Sequence, residues 1–268
     1  LSESFRAILQ DPGIALTHEK GTLALSDIYL PPDLRETSLS SIAYPRVVHG
    51  ANILKLVKEL PHLLVTGDSQ SGKTCFGKAT FQIMLNNGYI PLWVSGEEQK
   101  LPPGDKIFGY FEDLFLKQYQ TNSLTAYRQL DRSQRVIIVD DYDKIRSTAG
   151  SKRRLVERLT QFAGIVILLS HDMAQGVDDI LHPSAQVLFS RFKIQPFGYQ
   201  QRDAFIQQWF RLSSEETIES QGLAQKLHEV TRTINIIVGR NFVPAYPVYM
   251  LSMLQASEAS TPINTGAA

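Results

Sequence analysis

At 268 residues, with 43% hydrophobic and 20% charged side chains, the chain has the make-up of an ordinary soluble globular protein. Its length suits one large domain, or an α/β domain with a smaller companion. Lys plus Arg equals Asp plus Glu, 27 against 27, which argues against bulk electrostatic capture of nucleic acid and leaves only a local patch open.

The single cysteine, Cys75, excludes an internal disulfide framework and fits a reducing, cytoplasmic compartment. No apolar run approaches the roughly 18 residues of a membrane span, and no signal-peptide pattern opens the chain. The first residue is Leu1 rather than Met, so a processed chain or a piece of a longer protein is expected.

In chain order, residues 1–60 read as a lead-in. A helix-like stretch near 2–10 meets a polar turn at Asp11-Pro12-Gly13. The run Ile28 to Leu34 follows, with Pro31 and Pro32 disfavouring regular structure. Ile53, Leu54, Leu56, Val57 and Leu60 then space out as an amphipathic helix. From residue 61 to 195, apolar β-rich runs (62–66, 89–94, 135–139, 165–169 and 187–194) alternate with helical patterns near 73–86, 106–130, 151–163 and 174–181. Such alternation predicts an α/β fold, a mostly parallel sheet flanked by helices. Residues 196–256 read as a small helical lid. Phe205, Ile206, Trp209 and Phe210 share one helix face, a second helix covers 215–230, and a third opens at Pro247. Residues 257–268 read as a disordered tail.

The segment Gly67-Asp68-Ser69-Gln70-Ser71-Gly72-Lys73-Thr74 matches the phosphate-loop pattern at every fixed position. A buried strand precedes it and a helix follows, ending at Asn87-Gly88. The glycines let backbone N–H groups curl inward around phosphates at the positive end of a helix. Lys73 is expected to reach the β- and γ-phosphates and the Thr74 hydroxyl to hold Mg²⁺, so a nucleoside triphosphate is the predicted ligand. Cys75, just inside the helix, is read either as a small packed residue or as a thiol activated by the helix N-terminus.

The acidic partner is the strand Arg135 to Val139 ending in Asp140-Asp141-Tyr142-Asp143. Asp140 takes the metal-holding role, and Asp141 is placed to polarise an attacking water, which favours hydrolysis over transfer. Orientation of the metal or capping of the next helix is the alternative for Asp141, and turn capping the alternative for Asp143. Ser170 and His171, after the next strand, are candidates for sensing the γ-phosphate. Lys152, Arg153, Arg154 and Arg158 form either an arginine finger or phosphate-contact patch, or a solvated helix face with Arg153 and Glu157 paired. The histidines show no metal-ligand spacing, and zinc is unsupported.

With these motifs assembled, the chain resembles STAND ATPases, signal-transduction NTPases related to AAA+ proteins, and the NACHT-like branch in particular. The resemblance rests on the Walker pair, the segment Phe197 to Phe210, and Val243-Pro244-Ala245-Tyr246-Pro247-Val248. It extends to Leu25-Ser26-Asp27-Ile28-Tyr29-Leu30-Pro31 and spans about residues 22–256. It implies that Pro247 lies near the adenine, with Ile28 and Tyr29 on the other side of the base. It further implies an ATP-driven switch whose helical lid closes on nucleotide and exposes a surface for homo-oligomerisation, with effector and sensor domains elsewhere in the parent chain.

Many STAND members end the fourth strand in arginine; here the residues are Ser170-His171-Asp172, with Arg232 and Arg240 as unplaced substitutes. The alternatives are an AAA+-like or nucleic-acid-stimulated ATPase and a non-hydrolysing, nucleotide-gated scaffold. A metabolite kinase fits less well, since no arginine-rich lid is evident. No Asn-Lys-x-Asp segment marks guanine, which favours ATP.

Overall fold

The computed structural model describes residues 1–16, 18, 20–37, 45–97, 102, 104, 106–120, 124–145, 149–172, 189–213, 221–239 and 242–259. The chain divides into two compact units. The first joins Leu1–Gln10, Pro31–Ser69 and Lys73–Gln195; the second joins Asp11–Leu30, Gln70–Gly72 and the described residues from Pro196 onward.

Among the described residues the first unit is built on a seven-stranded sheet: β1 (Asp33–Glu36), β2 (Val47–His49), β3 (His62–Gly67), β4 (Ile90–Ser95), β5 (Arg135–Asp140), β6 (Ile165–His171) and β7 (Ser190–Ile194). Their order is β2-β1-β7-β3-β6-β5-β4. From β7 to β4 all neighbours are parallel, while β1 runs antiparallel to β2 and to β7. Parallel neighbours require crossovers, which α4 (Lys73–Asn86), α5 (Lys106–Gln118), α6 (Leu124–Gln129) and α7 (Ala149–Phe162) help to supply. The helices α1 (Glu3–Gln10) and α3 (Ile53–Glu59) belong to the same unit. Val136 to Val139 and Val166 to Leu169 are fully buried, as strands covered on both faces must be. β6 therefore stands between the strand that leads into the phosphate loop and the strand that ends in acids.

The free edge of β4 is closed by a side chain. Gln118, at the end of α5, donates from Nε2 to the Trp93 carbonyl (2.6 Å) and accepts from the Trp93 N–H at Oε1 (3.0 Å). One amide thus stands in for a missing neighbouring strand. Next to it, the Tyr119 hydroxyl donates to the Pro91 carbonyl at 2.7 Å. Both residues turn toward the strand edge here, and the helix ends. The single helix expected over 106–130 is accordingly two, α5 and α6, with 121–123 outside the described residues.

The run Ile28 to Leu34 is more regular than its prolines suggest. Pro32 ends the irregular stretch and its carbonyl accepts from the Gly50 N–H, and the strand β1 begins at the next residue, where N–H groups are again available for pairing. The expected helix at 174–181, and residues 187–188 of the expected last strand, lie outside the described residues.

The second unit contains α2 (Leu25–Ile28), α8 (Tyr199–Ser213), α9 (Gln221–Gly239) and α10 (Pro247–Ala259). Its core gathers Phe205, Ile206, Trp209 and Phe210 of α8 with Ile234, Met250 and Leu254. Trp209 is fixed by polar contacts as well as by burial: its indole N–H donates to Glu258 Oε1 at 2.7 Å, and the His18 ring stands edge-on at 4.6 Å. Gln208 Nε2 donates to the Asp27 carbonyl at 2.7 Å, so the segment 11–30 is tied into this unit. The helix expected over 215–230 runs instead from Gln221 to Gly239. The apolar residues Val230, Ile234 and Val238 at four-residue spacing carry it past the expected end, while 214–220 lie outside the described residues.

Candidate functional site

β3 delivers the chain into the loop 67–72, and α4 begins at Lys73. Two residues of the bend have positive φ, Gln70 at 63° and Gly72 at 90°. The first is in the left-handed region an L-residue tolerates; the second lies beyond it, where glycine is required. The loop therefore curls back toward the start of α4, whose unpaired N–H groups face an anion-attracting end.

Lys73 Nζ donates to the carbonyls of Gly67 (3.0 Å) and Asp68 (2.8 Å). Burial holds its pKa below the usual lysine range, opposed by Asp143 most, then Asp141, Asp140 and Asp68. The ammonium is thus aimed along the loop and surrounded by acids. Thr74, next on α4, hydrogen-bonds Asp140, joining the expected metal ligands across the sheet end.

Asp140 is only 7% exposed, and its Oδ1 has no hydrogen-bond partner. Burial pushes its carboxyl up to about 6, with the Thr74 bond opposing and Asp141 adding to the rise. A buried carboxylate oxygen without a partner is a costly group that a cation satisfies. Ser71 Oγ, also buried, is likewise without a partner. The orphaned Asp140 oxygen fits a phosphate-bound Mg²⁺ ion. Among the described residues no three His, Cys, Asp or Glu side chains group to hold a metal.

Asp141 sits in the left-handed region (φ 51°), opening the short turn Tyr142–Lys144. Its Oδ2 is 3.1 Å from Lys144 Nζ, which also meets Glu97 Oε2 at 3.2 Å. The Gly96 N–H donates to the Asp140 carbonyl at 2.8 Å, so the end of β4 clasps this segment. Ser170 is fully buried and its hydroxyl donates to Asp143 Oδ1 at 3.1 Å; the His171 backbone N–H donates to the same oxygen at 2.9 Å. Asp143 therefore couples the acidic segment to the end of β6.

The structure brings Gly67, Asp68, Ser69, Lys73, Thr74, Asp140, Asp141, Ser170 and His171 to one end of the sheet of the first unit. Cys75 is half-buried on α4. In the second unit, Ile28 is buried in the apolar core, Tyr29 is half-buried, and its N–H caps α2 at the Leu25 carbonyl. Residues 70–72 group with this unit, and a Cβ on Gly72 would stand 3.9 Å from Pro247 Cγ. Arg232 lies on α9, and Arg240 falls outside the described residues. On α7, Arg153 pairs with Glu157 (3.0 Å), Arg158 bonds Gln161 and lies over the Phe108 ring, and Lys152 lies over Tyr142. Much of the basic cluster is engaged within its own neighbourhood.

Sequence reasoning passed over Lys193 and underweighted Asp143. Lys193 Nζ lies 3.1 Å from Asp68 Oδ1 and 2.5 Å from Asp172 Oδ2. A lysine within the strand pattern 187–194 carries no motif; only the placement of β7 beside β3 gives it meaning. For Asp143, the i+3 spacing from Asp140 was visible but its partner on β6 was not.

No family model and no curated protein matches the chain. Among solved structures it is similar to a Walker-type ATPase of Pyrococcus abyssi, with 12% identity, a TM-score of 0.50, and coverage of 79% of this chain and 66% of that one. Two others are the Aeropyrum pernix ORC1 protein in complex with DNA (15% identity, TM-score 0.47, 78% of this chain and 59% of that) and domain III of the Thermotoga maritima replication initiation protein DnaA (13%, 0.38, 76% and 89%). The chain thus spans less than two thirds of the length of the first two. The strand order, the phosphate loop and the likeness to the Walker-type ATPase agree on the fold, that of an α/β P-loop NTPase.

Proposed function

We propose that the chain is an ATP-binding, slowly hydrolysing switch module of the STAND type, which couples nucleotide state to self-association in a cytoplasmic signalling protein, antiviral defence being the setting this class suggests. The observation that carries the reading is the pair of groups at the ends of β3 and β5: Lys73 on the loop carbonyls, and Asp140 with an unpartnered buried oxygen. Bound Mg²⁺ would neutralise charge on the β- and γ-phosphates. Lys73 exchanges its carbonyl partners for phosphate oxygens, and the loop N–H groups hold the phosphate chain. Thr74 and Asp140 would hold the metal, Asp141 would receive the proton of an attacking water, and His171 would read the terminal phosphate. Ser170 acts through Asp143 rather than directly, since its hydroxyl is buried and already donated. Cys75 packs at the start of α4. The resemblance to STAND ATPases assigns Pro247, Ile28 and Tyr29 to the base; within the second unit Pro247 stands near Gly72.

A non-hydrolysing, nucleotide-gated scaffold is the second reading, favoured by the ion pair that engages Asp141 with Lys144. A nucleic-acid-stimulated ATPase draws less support, because Arg153 and Arg158 are already engaged on α7. Titration of Mg²⁺·ATP into wild type and Lys73→Ala tests the primary reading. Binding by wild type and its loss in the variant is expected, and unchanged affinity in the variant refutes it. Single-turnover hydrolysis by the wild type separates the switch from the scaffold.

A further inference from the structure

Acids crowd the end of the sheet: Asp68, Asp140, Asp141, Asp143 and Asp172 outnumber Lys73, Lys144 and Lys193. Such a place repels a triphosphate unless each carboxylate is matched. Lys144 serves Asp141, and Asp140 faces the metal position. Asp68 is the awkward acid, because it sits in the phosphate loop itself. Lys73 acts on it only across space, since its Nζ is hydrogen-bonded to backbone carbonyls.

We infer that Lys193 is a positioning residue of the phosphate loop: it cancels the charge of Asp68 and ties the first turn of the loop to the ends of β6 and β7. Lys193 stands opposite Thr66 in the parallel register, immediately before the loop. Its ammonium bridges Asp68 Oδ1 and Asp172 Oδ2. The Asp172 N–H in turn donates to the Gly67 carbonyl at 3.0 Å, the same carbonyl that accepts Lys73. One lysine therefore holds the loop entrance on two sides. Its own bonds, to Asp172 first, keep it above the usual lysine range and so charged.

This inference rests on the nucleotide-binding reading, and the test separates the two. Mg²⁺·ATPγS is titrated calorimetrically into wild type, Lys193→Met, Lys193→Arg, Asp68→Asn and the double variant Asp68→Asn/Lys193→Met. Lys193→Met is expected to bind about tenfold more weakly, the arginine variant to recover most of that, and Asp68→Asn to bind more tightly than wild type. The double variant returns to within about threefold of wild type, because the acid that Lys193 offsets is gone. The Lys193→Met deficit narrows as salt is raised, which a merely structural defect does not do.

In nucleotide-free protein, amide exchange at Asp172 accelerates in Lys193→Met, a readout independent of any ligand. If wild type fails to bind ATPγS, the nucleotide reading falls and takes the charge-cancelling role with it. If wild type binds and Lys193→Met binds equally, or Asp68→Asn fails to restore the loss, the inference alone is overturned. Should Lys193→Met not fold, Lys193→Gln, alone and with Asp68→Asn, carries the same two comparisons.

Discussion

Replacing Asp140 by asparagine should stabilise the protein in the absence of nucleotide and metal while removing its metal site. In the folded protein burial holds the carboxyl at about 6, against 3.8 for the ordinary group. A shift of about two units corresponds to about 3 kcal/mol disfavouring the ionised form. The sign follows from linkage: the folded state binds a proton more readily than the unfolded state between pH 3.8 and about 6. The penalty is therefore absent below that window, grows through it, and is full above pH 6. Asparagine keeps the shape and still accepts from Thr74, but carries no charge to desolvate. Thermal unfolding of wild type and Asp140→Asn in chelator, near neutral pH and at about pH 4, checks this. At neutral pH the variant should melt higher by about 6 °C, and the gap should close at the acid pH. Added Mg²⁺ with ATP should raise the wild-type melting temperature and leave the variant unmoved. A variant less stable than wild type at neutral pH, or a gap independent of pH, would refute the buried, unsatisfied carboxylate.

Gln118→Leu removes both bonds that close the β4 edge at Trp93 and should destabilise the first unit by about 2–3 kcal/mol, read from the urea midpoint. Gly77→Ala is sterically opposed, because a Cβ there would stand 2.5 Å from Leu169 Cδ1 and 2.9 Å from Trp93 Cζ3; a loss of about 1–3 kcal/mol is expected in the same assay, and none would mean that α4 shifts freely. Asp141→Asn should retain ATP affinity while slowing single-turnover hydrolysis; equal turnover rejects it as proton acceptor. Asp143→Asn weakens the hold on Ser170 and His171, so it should lower both turnover and melting temperature, by about 1.5–3 kcal/mol in stability.

The phosphate loop, the acidic strand end and the alternation of strands and helices were legible because each is local. A loop that wraps phosphate with its own backbone needs its glycines and lysine at fixed spacing, and a strand buried on both faces must be a continuous apolar run such as Val136 to Val139. The joining of β1 and β2 to the sheet was less legible. Asp33–Glu36 and Val47–His49 are short, mixed in polarity and preceded by prolines, and only pairing with each other, and of the first with β7, gives them their ladders. The split between α5 and α6 was hidden for a similar reason, since Gln118 reads as an ordinary helix residue until β4 lies beside it.

The chain's own order of residues determined that a phosphate loop would form, and that Asp140 would close a buried strand. Tertiary structure alone decided which charges face one another across that end. Lys193 meets Asp68 and Asp172, and Asp143 meets Ser170, because parallel strands far apart in the chain end side by side. Backbone geometry is set over a few residues and leaves a periodic trace in sequence. Electrostatic pairing depends on distance through space, and no spacing along the chain encodes it.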